Sequence, residues 1–179
     1  MKKKILVFGA SNSKNSINQK FAKYTASQIE NAEINLIDLN DFEMPIFSVD
    51  REKEEGHPQL AYGFVNKIKE AYGLIISFAE YNGNYTVAFK NISDWISRIE
   101  LKSYADKPTL LLATSPGGGG AKSVLGIAQK ELQIRGANVV GSFSLPEFYK
   151  NFSEDGGILT EKLKLEFEQQ LNEFKKVIK

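Results

Sequence analysis

A chain of 179 residues with 42% apolar side chains suits one domain, residues 1–179, around an ordinary core. Lys plus Arg (23) nearly balance Asp plus Glu (22), so the net charge of +1 supplies no field to gather nucleic acid or a membrane surface. The absence of cysteine excludes disulfides, thiolate nucleophiles, iron–sulfur clusters and cysteine-ligated zinc.

The apolar run at residues 5–8, behind Met1-Lys2-Lys3-Lys4, is too short for a secretory signal and reads as a first strand. No stretch approaches the ~20 apolar residues that cross a bilayer, so a cytoplasmic protein without a membrane partner is expected. Near-continuous apolar runs recur at 74–78 (LIISF), 110–113 (LLLA) and 139–143 (VVGSF), as in parallel strands buried on both faces. A more polar run at 34–39 reads as an edge strand.

Helical patterns lie between these runs. The first places Ile17, Phe21, Tyr24 and Gln28 or Ile29 on one side, with Ser16 and Gln19 spaced as a capping box. The second begins near Pro58 and is expected to bury Leu60, Phe64, Ile68 and Ala71. The third carries Ile92, Trp95, Ile96 and Ile99. The fourth carries Leu125, Ala128 and Leu132 and stops at Gly136. The last has Leu163, Phe167, Leu171, Phe174 and Ile178, with Thr160 available as N-cap. Residues 40–57, charged and without periodicity, read as a long surface loop. Five strands alternating with five helices predict an α/β layer structure with right-handed crossovers.

In such sheets ligands collect at the carboxyl ends of the strands, near the switch in strand order. After strand one, Ser11, Ser13, Ser16 and Asn18 precede or open a helix, a sensible phosphate cradle; a polar turn with a well-made cap explains the same residues equally well. After strand three comes AEYNGNY (79–85), two aromatics beside an Asn-Gly pair that suits either a platform for a flat heterocycle or a simple turn. Trp95 reads as core. After strand four come four glycines, 117–120, which let backbone N–H groups approach a ligand. Lys122-Ser123 is not a Walker A ending, because Pro116 occupies the position of its first glycine, and no G-x-G-x-x-G follows strand one. A mononucleotide fits better than a triphosphate or a dinucleotide.

Together the three loops resemble the NAD(P)H-dependent FMN reductase family, a flavodoxin-like group that includes azoreductases and quinone reductases, over residues 4–148. The most specific part is Glu80-Tyr81-Asn82-Gly83 followed by Lys90-Asn91-Ile92-Ser93-Asp94-Trp95. The resemblance implies a flavodoxin-like three-layer α/β sandwich with five parallel strands in the order 2-1-3-4-5. It implies FMN as cofactor, NADPH or NADH as co-substrate, a small-molecule electron acceptor, and a homodimer or homotetramer. By the same resemblance Ser11, Ser13, Ser16, Ile17 and Asn18 hold the FMN phosphate. Glu80, Tyr81, Asn82 and Gly83 contact the isoalloxazine, and Ser115, Pro116, Gly117 and Gly118 line its other edge.

Two positions depart from the family pattern: Ala79 replaces a proline, and Ser13 stands where many members place an arginine. No side chain is nominated as catalytic and no metal is expected, since the flavin performs the redox chemistry. A carboxylate such as Glu80 at a strand end equally serves backbone donors. His57, between Gly56 and Pro58, is expected to be solvated or at an interface, without a carboxylate partner at fixed spacing. The rival readings are a flavodoxin-like electron carrier without NAD(P)H activity and a flavin-free interaction module.

Overall fold

The computed structural model describes residues 2–178. Its frame is a parallel sheet of β1 (Lys3–Ala10), β2 (Ala32–Leu36), β3 (Gly73–Phe78), β4 (Pro108–Thr114) and β5 (Asn138–Leu145), ordered β2-β1-β3-β4-β5. This is the flavodoxin-like order that the sequence led us to expect. Crossovers run through α1 (Ile17–Ser27), α2 (Val49–Glu55), α3 (Gln59–Glu70), α4 (Val87–Ile99) and α5 (Lys122–Ile134). A short α6 (Phe148–Asn151), a two-residue hairpin of β6 (Phe152–Ser153) with β7 (Gly157–Ile158), and α7 (Glu161–Val177) complete the chain.

Strand parity divides the core into two layers. Leu6, Phe8, Leu74, Ile76, Phe78 and Leu111 face α3, α4 and α5. Ile5, Val7, Ile75, Leu110 and Leu112 face α1 and α7. Both faces of β1, β3 and β4 are therefore covered, which is why these strands read as unbroken apolar runs. Edge strand β2 leaves Ile34 and Leu36 exposed.

Gly9 is required by close approach, because a Cβ there would sit on the backbone of Gln19 and Asn18. The absent side chain lets α1 begin against the end of β1. Ser16 caps α1 by accepting the Gln19 N–H at 3.2 Å, but the reciprocal half of the expected capping box does not form. The Gln19 amide instead receives the Gly9 N–H and donates to Ile37 O at 2.9 Å, joining β1 to the turn after β2.

Three other expectations are corrected. Leu60 is exposed, because α3 buries Ala61, Phe64, Val65 and Ile68, and Leu60 lies about 100° of helical rotation from Ala61. Thr160 precedes α7 but makes no cap bond; its hydroxyl donates to Asn151 Oδ1 at 2.7 Å. Residues 40–57 are not a free loop. They complete a 3-10 turn (Leu39–Phe42) and contain α2, and Phe42 and Met44 are buried.

That segment is strapped to one side of α4. The Trp95 indole N–H donates to Pro45 O at 2.7 Å. Asn91 donates to Met44 O and Pro45 O at 3.0 and 3.1 Å and accepts the Phe47 N–H at 2.9 Å. The Phe47 ring meets Trp95 edge-on. His57 also finds the carboxylate it was expected to lack: its Nε2 lies 2.9 Å from Glu52 Oε1, and Glu52 pairs in turn with Arg98 Nε at 3.0 and 3.1 Å. Arg98 lies seven residues after Asn91, two turns along the same face of α4.

Candidate cofactor cleft at the carboxyl edge of the sheet

The strand order reverses between β1 and β3, and the loops after β1, β3, β4 and β5 gather at that edge. They enclose a cleft of about 210 Å³. A larger cavity of about 480 Å³ lies at the opposite edge, beside Lys3, Asn31 and Ile178, and receives none of these loops.

One wall of the cleft is the start of α1. Ser11, Ser13, Ser16, Ile17 and Asn18 all line it. Among the described residues, nothing accepts the backbone N–H of Ile17 or Asn18. With the helix dipole, these groups form a ready anion site. The Asn18 side chain does not contribute to it. Buried at 2% exposure, it accepts from Ser77 Oγ at 2.7 Å and Thr114 N at 3.1 Å and donates to Thr114 O at 3.1 Å. It staples α1 to β3 and β4, so only its backbone is free for a ligand.

The opposite wall brings Ala79, Glu80, Tyr81, Thr114, Ser115 and Pro116 together. Glu80 Oε2 accepts the Val124 N–H at 2.9 Å and so caps α5, whose own N-cap, Ala121, offers no side-chain acceptor. Asn82 and Gly83 stand at the tip of a two-residue turn, with φ of 53° and 73°, closed by reciprocal Tyr81–Asn84 backbone bonds of 3.0 and 3.1 Å. They are outside the cleft lining. Tyr81 instead reaches across, its hydroxyl 3.2 Å from Ser13 Oγ. Asn15, Thr114 and Tyr149 also line the cleft without having been singled out from sequence. The only signal for Tyr149 is its place just beyond the carboxyl end of β5.

Gly117 and Gly118 lie beyond the lining, in a loop held down by Phe148 N–H to Ser115 O and Glu147 N–H to Gly117 O, both 3.0 Å. Gly120 has a φ of 60° and crowds Ser144 and Pro146. A side chain built on Gly117, Gly118 or Gly119 meets nothing within 4 Å. Among the described residues no steric contact requires glycine at those three positions. The lining holds no Lys, Arg or His, and no cluster of three or more potential metal ligands occurs among the described residues.

A helix start with free N–H groups and a flanking tyrosine thus meet in one cleft at the switch point of a flavodoxin-like sheet. The sequence profile described as NADPH-dependent FMN reductase matches residues 3–150, and the chain belongs to that family of FMN- and NAD(P)H-using oxidoreductases. The uncharacterized protein MG342 homolog of Mycoplasma pneumoniae is 31% identical over 157 residues, 85% of this chain and 92% of that protein. A quinone reductase of Escherichia coli is 35% identical over 81 residues, 45% of this chain and 43% of that enzyme. Among solved structures, the flavoenzyme NAD(P)H:(acceptor) oxidoreductase FerB of Paracoccus denitrificans superposes with a TM-score of 0.76 at 25% identity, covering 98% of this chain and 97% of its own.

Proposed function

We propose that this protein takes hydride from NADPH or NADH and passes the electrons to a small organic acceptor through FMN held in the cleft. The observation that carries the reading is the cleft itself, which brings the free N–H groups of Ile17 and Asn18 together with Tyr81, Ser115 and Pro116 at the switch in strand order. When bound, FMN supplies the two-electron chemistry.

The chain's own residues bind and orient. The α1 start and the hydroxyls of Ser11, Ser13 and Ser16 hold the phosphate; no cation lines the cleft, so dipoles and hydrogen bonds do this work. Tyr81 would contact the ring system, and Ser115 and Pro116 in the lining, with Gly117 and Gly118 just beyond it, would border its other edge. Glu80 ties the loop after β3 to the start of α5 through Val124. Asn82 and Gly83 shape the turn that presents Tyr81. The protein acts in the cytoplasm as a homodimer or homotetramer.

Anaerobic stopped-flow mixing of FMN-loaded protein with NADPH, then NADH, tests the proposal. Bleaching of the flavin band with either donor is the expected result. Bound FMN that neither donor reduces would mark an electron carrier, and failure to bind FMN would remove the reading.

A further inference from the structure

A second cavity of about 350 Å³ adjoins the cofactor cleft, and Tyr81 lines both. One wall is the strap, with Leu39, Phe42, Met44 and Ile46; the other is the first turns of α4, with Val87 and Ile92. The floor is core, since Leu39, Phe42, Met44 and Ile92 belong to the buried cluster beneath α3–α5. This volume, with apolar walls among polar groups, suits an organic molecule of one or two rings. The polar residues in the lining are Asn12, Asn40, Asn91 and Tyr81, with one charged residue, Glu43. The Asn91 amide is already spent on the strap.

We infer that this cavity is the acceptor pocket and that Glu43 makes it select flat, uncharged acceptors over anionic ones. The inference rests on the proposed FMN-dependent reaction. Continuity through Tyr81 places a guest beside the flavin cleft, and the apolar walls accept an unsubstituted ring. A sulfonate or carboxylate on that ring would approach the Glu43 carboxylate with no Lys, Arg or His in the lining to compensate. For a quinone guest the reaction balances as NADPH plus H⁺ plus quinone giving NADP⁺ plus hydroquinone: two electrons and one proton arrive as hydride, and the second proton comes from solvent.

The test uses oxidised FMN-loaded protein, its loading read from the visible spectrum, titrated with 1,4-naphthoquinone and with 1,2-naphthoquinone-4-sulfonate while backbone amide shifts are followed. The absence of cysteine removes thiol addition as a side reaction. Shifts centred on Met44, Ala88 and Ile92 are expected for the neutral quinone, with weaker binding of the sulfonate. Glu43→Gln should narrow the affinity ratio several-fold, and Glu43→Lys should narrow it further or reverse it, by roughly ten-fold at low salt. Reoxidation constants of the reduced protein with the two quinones should move in the same order. Neutral-quinone shifts confined to other residues, or a ratio constant within about two-fold across the three proteins, would overturn the assignment, as would occupation of the cavity by a second copy of the chain. Protein that takes up no FMN yet shows the quinone shifts would remove the proposed reaction while leaving the pocket in place.

Discussion

The carboxamide of Asn18 and the backbone of Thr114 exchange two hydrogen bonds across 96 residues of sequence, each 3.1 Å long, while the same Oδ1 also accepts from Ser77. One side chain thus ties the first helix to the two central strands directly beneath the cleft. Asn18→Ala leaves three buried polar groups without their partner and should cost roughly 2–4 kcal/mol in urea unfolding. Asn18→Asp should cost at least as much, because a carboxylate cannot donate to the Thr114 carbonyl. A residue serving only as a phosphate ligand would behave differently: its loss would lower FMN affinity and leave the urea midpoint in place.

Glu80 is a positioning residue, so its variants should separate structure from chemistry. Glu80→Ala removes the acceptor for Val124 and should cost about 1 kcal/mol, in the range of a lost helix cap. It should also weaken FMN binding by loosening the loop that carries Tyr81. Glu80→Gln keeps an acceptor oxygen and should retain flavin reduction within a few-fold. Loss of turnover in Glu80→Gln with FMN still bound would instead place this carboxylate in the chemistry.

The sheet was readable in sequence because burial on both faces writes itself locally, as runs such as ILVF and LLLA. The strap was not, because its order is borrowed. Residues 44–47 are held by Asn91 and Trp95, more than forty residues away, and α2 buries none of its own residues, so it carries no periodic signal. Leu60 misled for a related reason: the stripe through Phe64 and Ile68 admits either Leu60 or Ala61 as its first member, and packing chose Ala61. At the site, the loops were legible through their small and polar residues. The division of labour within them was not, since the partners of Asn18 and Glu80 lie on other strands and helices.

The Glu52 carboxyl is held below its ordinary value of 4.5, first by the Arg98 guanidinium and then by His57, whose other nitrogen faces the Tyr62 hydroxyl at 3.1 Å. A depressed carboxyl pKa stabilises the fold fully above pH 4.5, and that contribution disappears as the pH falls below it. Thermal scans should therefore show Glu52→Gln melting below the wild type at pH 7, with the gap closing on acidification below 4.5. A gap that persists at pH 3 would refute an ionic role for Glu52 beside Arg98 and His57.

Tyr104 is wholly buried, its hydroxyl has no partner among the described residues, and burial pushes its phenol far above the usual range. Tyr104→Phe removes an unsatisfied group at nearly constant volume and should raise the melting temperature by about 2–4 °C, equivalent to roughly 1 kcal/mol. A lower melting temperature would point to a bound water serving that hydroxyl.

The open space beside Gly117, Gly118 and Gly119 separates two kinds of position within a single loop. Gly120, whose neighbours crowd it, is constrained by the fold itself. A Cβ on any of the three before it meets no other atom within 4 Å, so the loop can take small side chains there without crowding the scaffold. Substitution should therefore be tolerated better at these three positions than at Asn18, whose side chain ties α1 to β3 and β4.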